Sequence, residues 1–343
     1  MPEEKLSPQE IERFDTRRVY DLYDGWPADV EDALGIQVKL PRTKYERVVY
    51  LAVGGSATGG DIISDWLLSS GGVPLTVYRG NVPKLNLDNA LVIVCSTSGD
   101  TKETLQMATA MIKSRPDMVA ISSGGMLKEF AEREGVTYVK IRLTKAPRFT
   151  LPYSLFASVA TLRGASLLEG MEWELDEAVS VMRETARRIN RRVATQQNES
   201  KQIATTINGK TPCIYSSSVT RSVARRFKNS LNENAKILAT YAAAPDFLHN
   251  EVEMWEKPER NLQPIVLRRA SDPPNETRAL DAFTEALEAR GIKATSVTSS
   301  GRGNLAQLMS LCYTLDVASY YTAILRGVEP FSIGLIEELK RSR

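Results

Sequence analysis

Short apolar runs alternate with longer amphipathic segments along the first half of the chain. Runs rich in β-branched residues lie near 47–53, 75–78, 90–95, 118–122 and 137–141. Segments with a helical pattern lie between most of them, near 59–69, 101–114 and 126–134. Strands that alternate with helices at this spacing predict a parallel sheet covered by helices.

The second half of the chain resumes this alternation after a helical stretch over 150–207. The part from 173 to 198 is charged and rich in arginine, so we expect it to cross between two domains. The pattern then predicts strands at 211–215, 264–267 and 294–297, and helices near 220–232, 276–290 and 303–325. We therefore predict an α/β protein with an N-terminal helical arm (1–44), a first subdomain (45–160), a helical crossover (161–207) and a second subdomain (208–343). Each subdomain is expected to be a parallel sheet between helical layers.

Two turns rich in glycine and hydroxyl residues each follow a strong strand and open a helix. The first reads Gly54-Gly55-Ser56-Ala57-Thr58-Gly59, and the second reads Ser96-Thr97-Ser98-Gly99-Asp100-Thr101. Small side chains let backbone N–H groups approach a ligand, hydroxyls add donors, and a helix N-terminus favours an anion. The pair therefore predicts a site for a phosphorylated small molecule.

Neither turn is a nucleotide motif. The first has the glycine spacing of a P-loop, but Gly60-Asp61 stands where lysine and a hydroxyl residue are required, and no G-x-G-x-x-G occurs there. Any α/β protein needs small residues where strands turn into helices. A single turn of this kind would therefore be explained better by a structural role than by ligand binding. In the second turn, Asp100 and Glu103 have the spacing of a capping pair, which leaves Ser96 and Ser98 to face a ligand.

Charge and cysteine usage narrow the class of protein. The 343 residues carry 44 Lys and Arg against 42 Asp and Glu, a net charge of +2, which argues against a nucleic-acid-binding surface. The three cysteines lie far apart without a CxxC pair, so we expect neither disulfides nor a zinc ribbon, and a reducing cytosol fits. No apolar run approaches the roughly 20 residues that span a bilayer.

The chain has a single histidine, His249, so imidazole chemistry from this chain must use it. One histidine cannot supply an imidazole-rich metal site, and we expect no metal and no cofactor. We likewise expect neither nucleic acid nor membrane as a partner.

The two turns resemble the signatures of the sugar isomerase (SIS) domain. From about residue 45 to its end, the chain is similar to the bifunctional phosphoglucose/phosphomannose isomerase family. Further segments carry this resemblance: Ala146-Pro147-Arg148-Phe149-Thr150-Leu151-Pro152, Asn232-Glu233-Asn234-Ala235-Lys236, His249-Asn250-Glu251 and Arg326-Gly327-Val328-Glu329-Pro330. The resemblance implies two SIS-type subdomains and a cytoplasmic enzyme that interconverts glucose 6-phosphate and mannose 6-phosphate with fructose 6-phosphate.

The same resemblance implies a role for each site residue. Glu233 corresponds to the base that moves a proton between C2 and C1, and Arg148 to the arginine that neutralises the enediolate. His249 corresponds to the acid/base that opens the sugar ring and reaches the site from a neighbouring subunit, which implies a homodimer. The phosphate would be held by Gly54, Gly55, Ser56, Ser96, Ser98 and Thr101. Without the resemblance, each residue has a simpler structural interpretation. Glu233 would be a carboxylate at a helix end, Arg148 a salt-bridge partner and His249 a histidine in a loop.

One position departs from the family. The resemblance implies a lysine in the last long helix, where this chain has Tyr321. A tyrosine hydroxyl donates one hydrogen bond but carries no charge near neutral pH. Three alternatives follow: Tyr321 replaces the lysine as a neutral donor, the protein acts on another phosphosugar, or it binds a sugar phosphate without isomerising it.

Overall fold

The computed structural model describes residues 4–40, 44–81 and 84–342. The strands are β1 Arg47–Leu51, β2 Leu75–Tyr78, β3 Ala90–Cys95, β4 Asp117–Ser122, β5 Thr137–Lys140, β6 Thr211–Ser216, β7 Thr240–Ala243, β8 Leu262–Arg268 and β9 Thr295–Thr298. The α-helices are α1 Pro8–Phe14, α2 Val19–Asp24, α3 Trp26–Leu34, α4 Gly55–Ser70, α5 Lys102–Met111, α6 Gly125–Glu134, α7 Leu151–Gly164, α8 Glu172–Arg188, α9 Glu199–Ile207, α10 Arg221–Ser230, α11 Pro274–Ala289, α12 Asn304–Leu325 and α13 Gly334–Arg341. Among these elements, no helix is both long and apolar enough to cross a membrane.

The first sheet has the parallel strand order β2-β1-β3-β4-β5. Every residue of its central strand, β3, is buried. A parallel sheet covered by helices on both faces requires such a continuous apolar run. The strand order reverses between β1 and β3, and ligands of open α/β sheets bind beyond the carboxyl ends of strands at such a reversal.

The second sheet has the parallel strand order β7-β6-β8-β9. Three of its strands correspond to the predicted ones, and the α/β class with two helix-flanked parallel sheets is confirmed. The edge strand β7 was not predicted, because Thr-Tyr-Ala-Ala is short and its alanines carry little strand preference. The order again reverses between neighbouring strands, here β6 and β8, so the two sheets share one topological plan.

The described chain forms two compact units. The first-sheet unit comprises Gly25–Val179, and the second-sheet unit comprises Met1–Asp24 with Ser180–Arg343. The units divide the predicted helical arm at residue 25, and they divide the predicted crossover at residue 180. The arm is divided because α3 packs on α7 of the first-sheet unit, while α1 contacts α12 of the second.

Helix α12 forms the core of the second-sheet unit. All of its residues after Asn304 are buried, including the charged Asp316. The Asp316 carboxylate accepts hydrogen bonds from Arg226 Nε and Nη2 and from the Ser230 hydroxyl. A buried charge needs such partners, and removal of one of them typically costs about 3–5 kcal/mol.

Candidate active site

The turn after β1 passes directly into helix α4. Gly54 precedes the helix with a φ of 61°, and α4 begins at Gly55 rather than near residue 59 as predicted. The positive φ of Gly54 lets the chain enter the helix at once, so Ser56 lies in the first helical turn. Gly54 makes no side-chain capping hydrogen bond, which leaves this N-terminus uncovered by a capping side chain.

Hydroxyl groups from the two predicted turns meet at the reversal between β1 and β3. The Ser56 hydroxyl accepts a hydrogen bond from the Thr97 N–H at 3.1 Å and lies 3.0 Å from Thr97 Oγ1. Ser96 Oγ lies 2.9 Å from Thr101 Oγ1. Ser56, Ser96 and Thr97 are at most 7% exposed. Thr97 was not among the predicted site residues, although its place directly after a buried strand could have suggested it.

The conformation of the second turn is constrained by a close contact between two backbone segments. Gly99 has a φ of 86°, and a β-carbon there would lie 1.9 Å from the Gly124 carbonyl oxygen. The Asp100 carboxylate accepts the Met126 N–H at 3.0 Å and so caps helix α6. The predicted capping pair of Asp100 and Glu103 on α5 is therefore wrong. The residue that precedes α5 is Thr101, which makes no side-chain capping hydrogen bond.

The two helix N-termini give this edge of the sheet a positive electrostatic character. Helices α4 and α5 follow neighbouring strands, and their N-terminal N–H groups carry the positive ends of the helix dipoles. Ser98 adds a half-buried hydroxyl, which accepts the Asp100 N–H at 3.3 Å. Hydroxyls and helix N-termini together suit an anion such as a phosphate.

Arg148 lies beside the first turn. It belongs to the 3-10 turn Pro147–Thr150, is 5% exposed, and its guanidinium lies 4.4 Å from the centre of the Phe149 ring. A β-carbon at Gly55 would lie 3.8 Å from the Arg148 α-carbon, so the two backbones are neighbours. The first-sheet unit thus holds Arg148 and all the predicted phosphate-binding residues.

Glu233 lies in the second-sheet unit, within a π-helical turn over Leu231–Ala235. π-Helical turns are rare and occur frequently at functional sites. Its side chain is half-buried, and two residues that follow it in sequence, Asn234 and Lys236, form hydrogen bonds. Asn234 Nδ2 donates to Tyr23 and Ser319 hydroxyls, and Lys236 Nζ donates to the carbonyls of Glu233 and Ser332.

His249 also lies in the second-sheet unit, at the end of the 3-10 turn Asp246–His249, with its side chain exposed. The adjacent Asn250 side chain accepts the Glu251 N–H at 2.5 Å. Glu251 in turn accepts the Tyr215 hydroxyl at 3.2 Å. The loop that follows His249 is therefore anchored, while the imidazole faces outward.

Tyr321 is fully buried. Its hydroxyl donates to the Ile189 carbonyl at 3.1 Å, and its ring lies against Tyr20 and Tyr320. Burial raises the pKa of Tyr321 well above its ordinary value. Because its hydroxyl already bonds to the backbone, Tyr321 is not one of the catalytic groups that we propose.

At the point where the strand order of the second sheet reverses, carboxylates of the protein itself accept the hydrogen bonds of the turn. After β6, the Ser217 hydroxyl donates to Asp272 at 2.5 Å, and the Ser218 N–H and hydroxyl donate to Glu276 at 2.6 and 2.8 Å. Asp272 also lies 3.9 Å from Arg269 Nε. The serines of this turn therefore bind internal anions, which distinguishes it from the turns after β1 and β3.

Across the described ranges, His, Cys, Asp and Glu side chains form no group of three or more that could hold a metal ion.

Comparison with known proteins identifies the class to which this fold and site belong. Residues 196–342 match the model of the bacterial phospho-glucose isomerase C-terminal SIS domain. A hypothetical protein from Thermus thermophilus has a TM-score of 0.75 over 98% of this chain and 94% of its own, at 17% identity. A glucose-6-phosphate isomerase like protein from the same organism has a TM-score of 0.62 over 98% and 99%, at 22% identity. The fold is that of the SIS phosphosugar isomerases.

Sequence relatives define the family more narrowly. A bifunctional phosphoglucose/phosphomannose isomerase of Pyrobaculum calidifontis is 31% identical over 87% of this chain and 89% of its own. One from Caldicellulosiruptor bescii is 29% identical over 94% and 96%. A D-glucosamine-6-phosphate 4-epimerase of Sulfolobus acidocaldarius is 29% identical over 72% and 76%. The chain belongs to the bifunctional phosphoglucose/phosphomannose isomerase family, a family of isomerase enzymes, and the predicted resemblance is confirmed.

Proposed function

We propose that this protein interconverts glucose 6-phosphate and mannose 6-phosphate with fructose 6-phosphate by proton transfer through an enediolate. The observation that carries this proposal is the hydroxyl cluster of Ser56, Thr97, Ser96 and Thr101 beside Arg148. A cluster of hydroxyls between two helix N-termini suits the phosphate group, and the family membership supports a sugar as its carrier.

Each step of the reaction has a candidate group in this chain. His249 moves the proton of the O1 hydroxyl to the ring oxygen, the C1–O5 bond breaks, and the open aldose forms. Glu233 then removes the C2 proton: the C2–H bond breaks, a C1–C2 double bond forms, and the negative charge moves to O1, where Arg148 stabilises it. The O2 proton passes to O1 as Glu233 returns its proton to C1, so the carbonyl group now lies at C2 and the product is the ketose. A guanidinium remains charged at any working pH, so it suits the enediolate.

The catalytic proposal is tested by the Glu233→Gln variant in a coupled assay that follows glucose 6-phosphate formed from fructose 6-phosphate. Loss of the carboxylate should lower kcat by at least about a hundredfold, in the range expected for a general base. Glu259→Gln, an exposed glutamate of the same unit, serves as the control and should keep the full rate. Full activity in Glu233→Gln would contradict the assigned base, and full activity in EDTA is expected for a metal-free reaction.

We propose further that His249 acts in the site of a neighbouring subunit of a homodimer. The exposed imidazole at the end of the Asp246–His249 turn is available to a second chain. Glu233→Gln and His249→Asn subunits, each inactive alone, should regain activity when refolded together, because some mixed sites then contain both native groups. Mixtures that stay inactive would contradict the shared site.

A second candidate function is the epimerisation or isomerisation of an amino-sugar phosphate. The relative named D-glucosamine-6-phosphate 4-epimerase favours it, since its identity to this chain equals that of one of the isomerases. Incubation with hexose 6-phosphates and with glucosamine 6-phosphate in deuterium oxide distinguishes the two functions. Deuterium at C1 and C2 of a hexose phosphate supports the enediolate reaction, while a product changed only at C4 of the amino sugar supports the second candidate.

A further inference from the structure

The side chain next to Glu233 forms two hydrogen bonds to buried hydroxyls. Asn234 is 1% exposed, and its Nδ2 donates to the Tyr23 hydroxyl at 2.8 Å and to the Ser319 hydroxyl at 2.8 Å. A side-chain amide has two N–H donors, so both are used here. The position of the Asn234 side chain is therefore determined from two sides.

The backbone around Glu233 is not regular α-helix. In a π-helical turn each backbone hydrogen bond spans five residues instead of four, and such turns are rare. Other side chains secure its C-terminal end. Arg326 Nε donates to the Ala235 carbonyl at 3.0 Å, and Asn232 Nδ2 donates to the Ile237 carbonyl at 2.6 Å. Asn234 is the anchor adjacent to Glu233 in sequence, about 3.8 Å away between α-carbons.

Tyr23, which receives one of these hydrogen bonds, is itself rigidly placed. It lies in α2 near the beginning of the chain and is 1% exposed. Its ring packs against the edge of Tyr320 at 6.1 Å between centroids, and its carbonyl accepts the Tyr313 hydroxyl at 2.6 Å. Tyr23 therefore offers Asn234 an acceptor whose position does not depend on solvent.

We propose that Tyr23 is a positioning residue for the reaction, which orients Glu233 through its hydrogen bond with Asn234. This inference rests on the proposed function, in which Glu233 transfers the proton between C2 and C1. Proton transfer is sensitive to displacements well below an ångström, and a misplacement of about 1 Å can cost a factor of about a hundred in rate. Helix α2, which lies some 200 residues away in sequence, would thus determine the orientation of the Glu233 carboxylate.

The test compares Tyr23→Phe with Tyr20→Phe, two identical changes in the same helix. The Tyr20 hydroxyl accepts the Arg191 N–H at 2.9 Å and has no part in the Glu233 turn. We expect Tyr23→Phe to lower kcat about tenfold with KM nearly unchanged, as for an interaction that acts on the transition state. The acid limb of its kcat profile against pH should also shift. Tyr20→Phe should keep both kcat and the pH profile, with a similar loss of thermal stability.

Ser319→Ala provides a second variant in case Tyr23→Phe does not fold. It removes the other acceptor of Asn234 and should lower kcat in the same way, because the amide is then held from one side only. If Glu233→Gln is inactive while Tyr23→Phe and Ser319→Ala match Tyr20→Phe in kcat and pH profile, the positioning role is overturned and the proposed function stands. If Glu233→Gln keeps full activity, the proposed function is overturned, and the positioning role fails with it.

Discussion

The Ser56 hydroxyl accepts a hydrogen bond from the Thr97 N–H and lies 3.0 Å from the Thr97 hydroxyl, across 41 residues of sequence. This contact joins the first turn of α4 to the turn after β3. It brings the hydroxyls of both turns to one edge of the sheet, at the point where the strand order reverses. Two turns that are separate in sequence therefore form one candidate phosphate site.

The first prediction concerns this contact. Ser56→Ala should raise KM for fructose 6-phosphate by at least about tenfold, because a lost hydrogen bond to a charged phosphate is worth about 1.5–3 kcal/mol. Its kcat should change much less, since the phosphate does not react. Ser64→Ala is the matched control, since Ser64 lies in the same helix and donates to the Leu75 carbonyl. An equal KM for both variants in steady-state kinetics would argue against Ser56 as a phosphate ligand.

The second prediction concerns Gly99. A Gly99→Ala variant needs a positive φ of 86° and must relieve a contact of 1.9 Å with the Gly124 carbonyl, so the turn has to move. We expect a loss of several kcal/mol in the free energy of unfolding, measured by urea denaturation, since overpacking and backbone strain add.

Gly135→Ala is the control for this change. Gly135 has a φ of 67°, but a β-carbon added there would meet no neighbouring atom within 4 Å. It should lose only about 1 kcal/mol, the cost of the left-handed conformation alone. Similar losses in the two variants would mean that the close approach to Gly124 is not rigid.

The third prediction concerns the internal anion of the second sheet. Asp272 accepts the hydroxyls of Ser217 and Thr220 and lies beside the buried Arg269. Asp272→Asn removes the negative charge from this cluster and should cost about 2–4 kcal/mol of stability. Sulfate should restore more stability to the variant than to the native protein, because an anion that binds only the folded state stabilises it.

Asp281→Asn is the matched control for this charge removal. Asp281 is 54% exposed and pairs with Arg268 at 2.9 Å. An exposed ion pair contributes about 0–1 kcal/mol, so this variant should resemble the native protein in thermal melts with and without sulfate. An identical sulfate effect in both variants would contradict an anion-binding turn at Ser217.

The fourth prediction concerns stability at alkaline pH. Burial raises the pKa of Tyr20 to about 12, and it raises those of Tyr313, Tyr320 and Tyr321 well above 10.0. Between the unfolded and the folded pKa, the unfolded chain loses protons that the folded protein retains. The contribution of these tyrosines to stability is therefore complete below pH 10 and falls as the pH rises further, by up to about 1.4 kcal/mol per tyrosine for each unit of pH.

Lys201 opposes this trend without reversing it. Its ammonium donates to the carbonyls of Leu6, Arg191 and Val193, and burial lowers its pKa from 10.5 to about 8. A lowered lysine pKa makes stability rise from about pH 8 to pH 10.5, but a single lysine is outweighed by several tyrosines above pH 10. Urea unfolding at increasing pH, with tyrosinate absorbance recorded in parallel, should show loss of stability as the tyrosines ionise. Constant stability up to about pH 12 would contradict the buried tyrosine cluster.

Much of the fold could be predicted because it is encoded in short-range patterns. Apolar runs such as 90–95 must be strands buried on both faces, and glycine with hydroxyl residues after them must be turns into helices. Strand β7 and the first four residues of α4 were missed for local reasons. The alanines of β7 give little strand signal, and Gly55 to Thr58 look like a turn although they form a helix.

The sequence by itself determined the alternation of strands and helices, the chemistry of the two turns and the motif that contains Glu233. Only the tertiary structure decided that Asp100 caps α6, that Asp272 and Glu276 fill the second reversal, and that Tyr23 holds Asn234. The physical reason is that periodicity records which face of an element is buried. The partner of a buried polar group lies far away in sequence and is chosen by packing, so no local pattern identifies it.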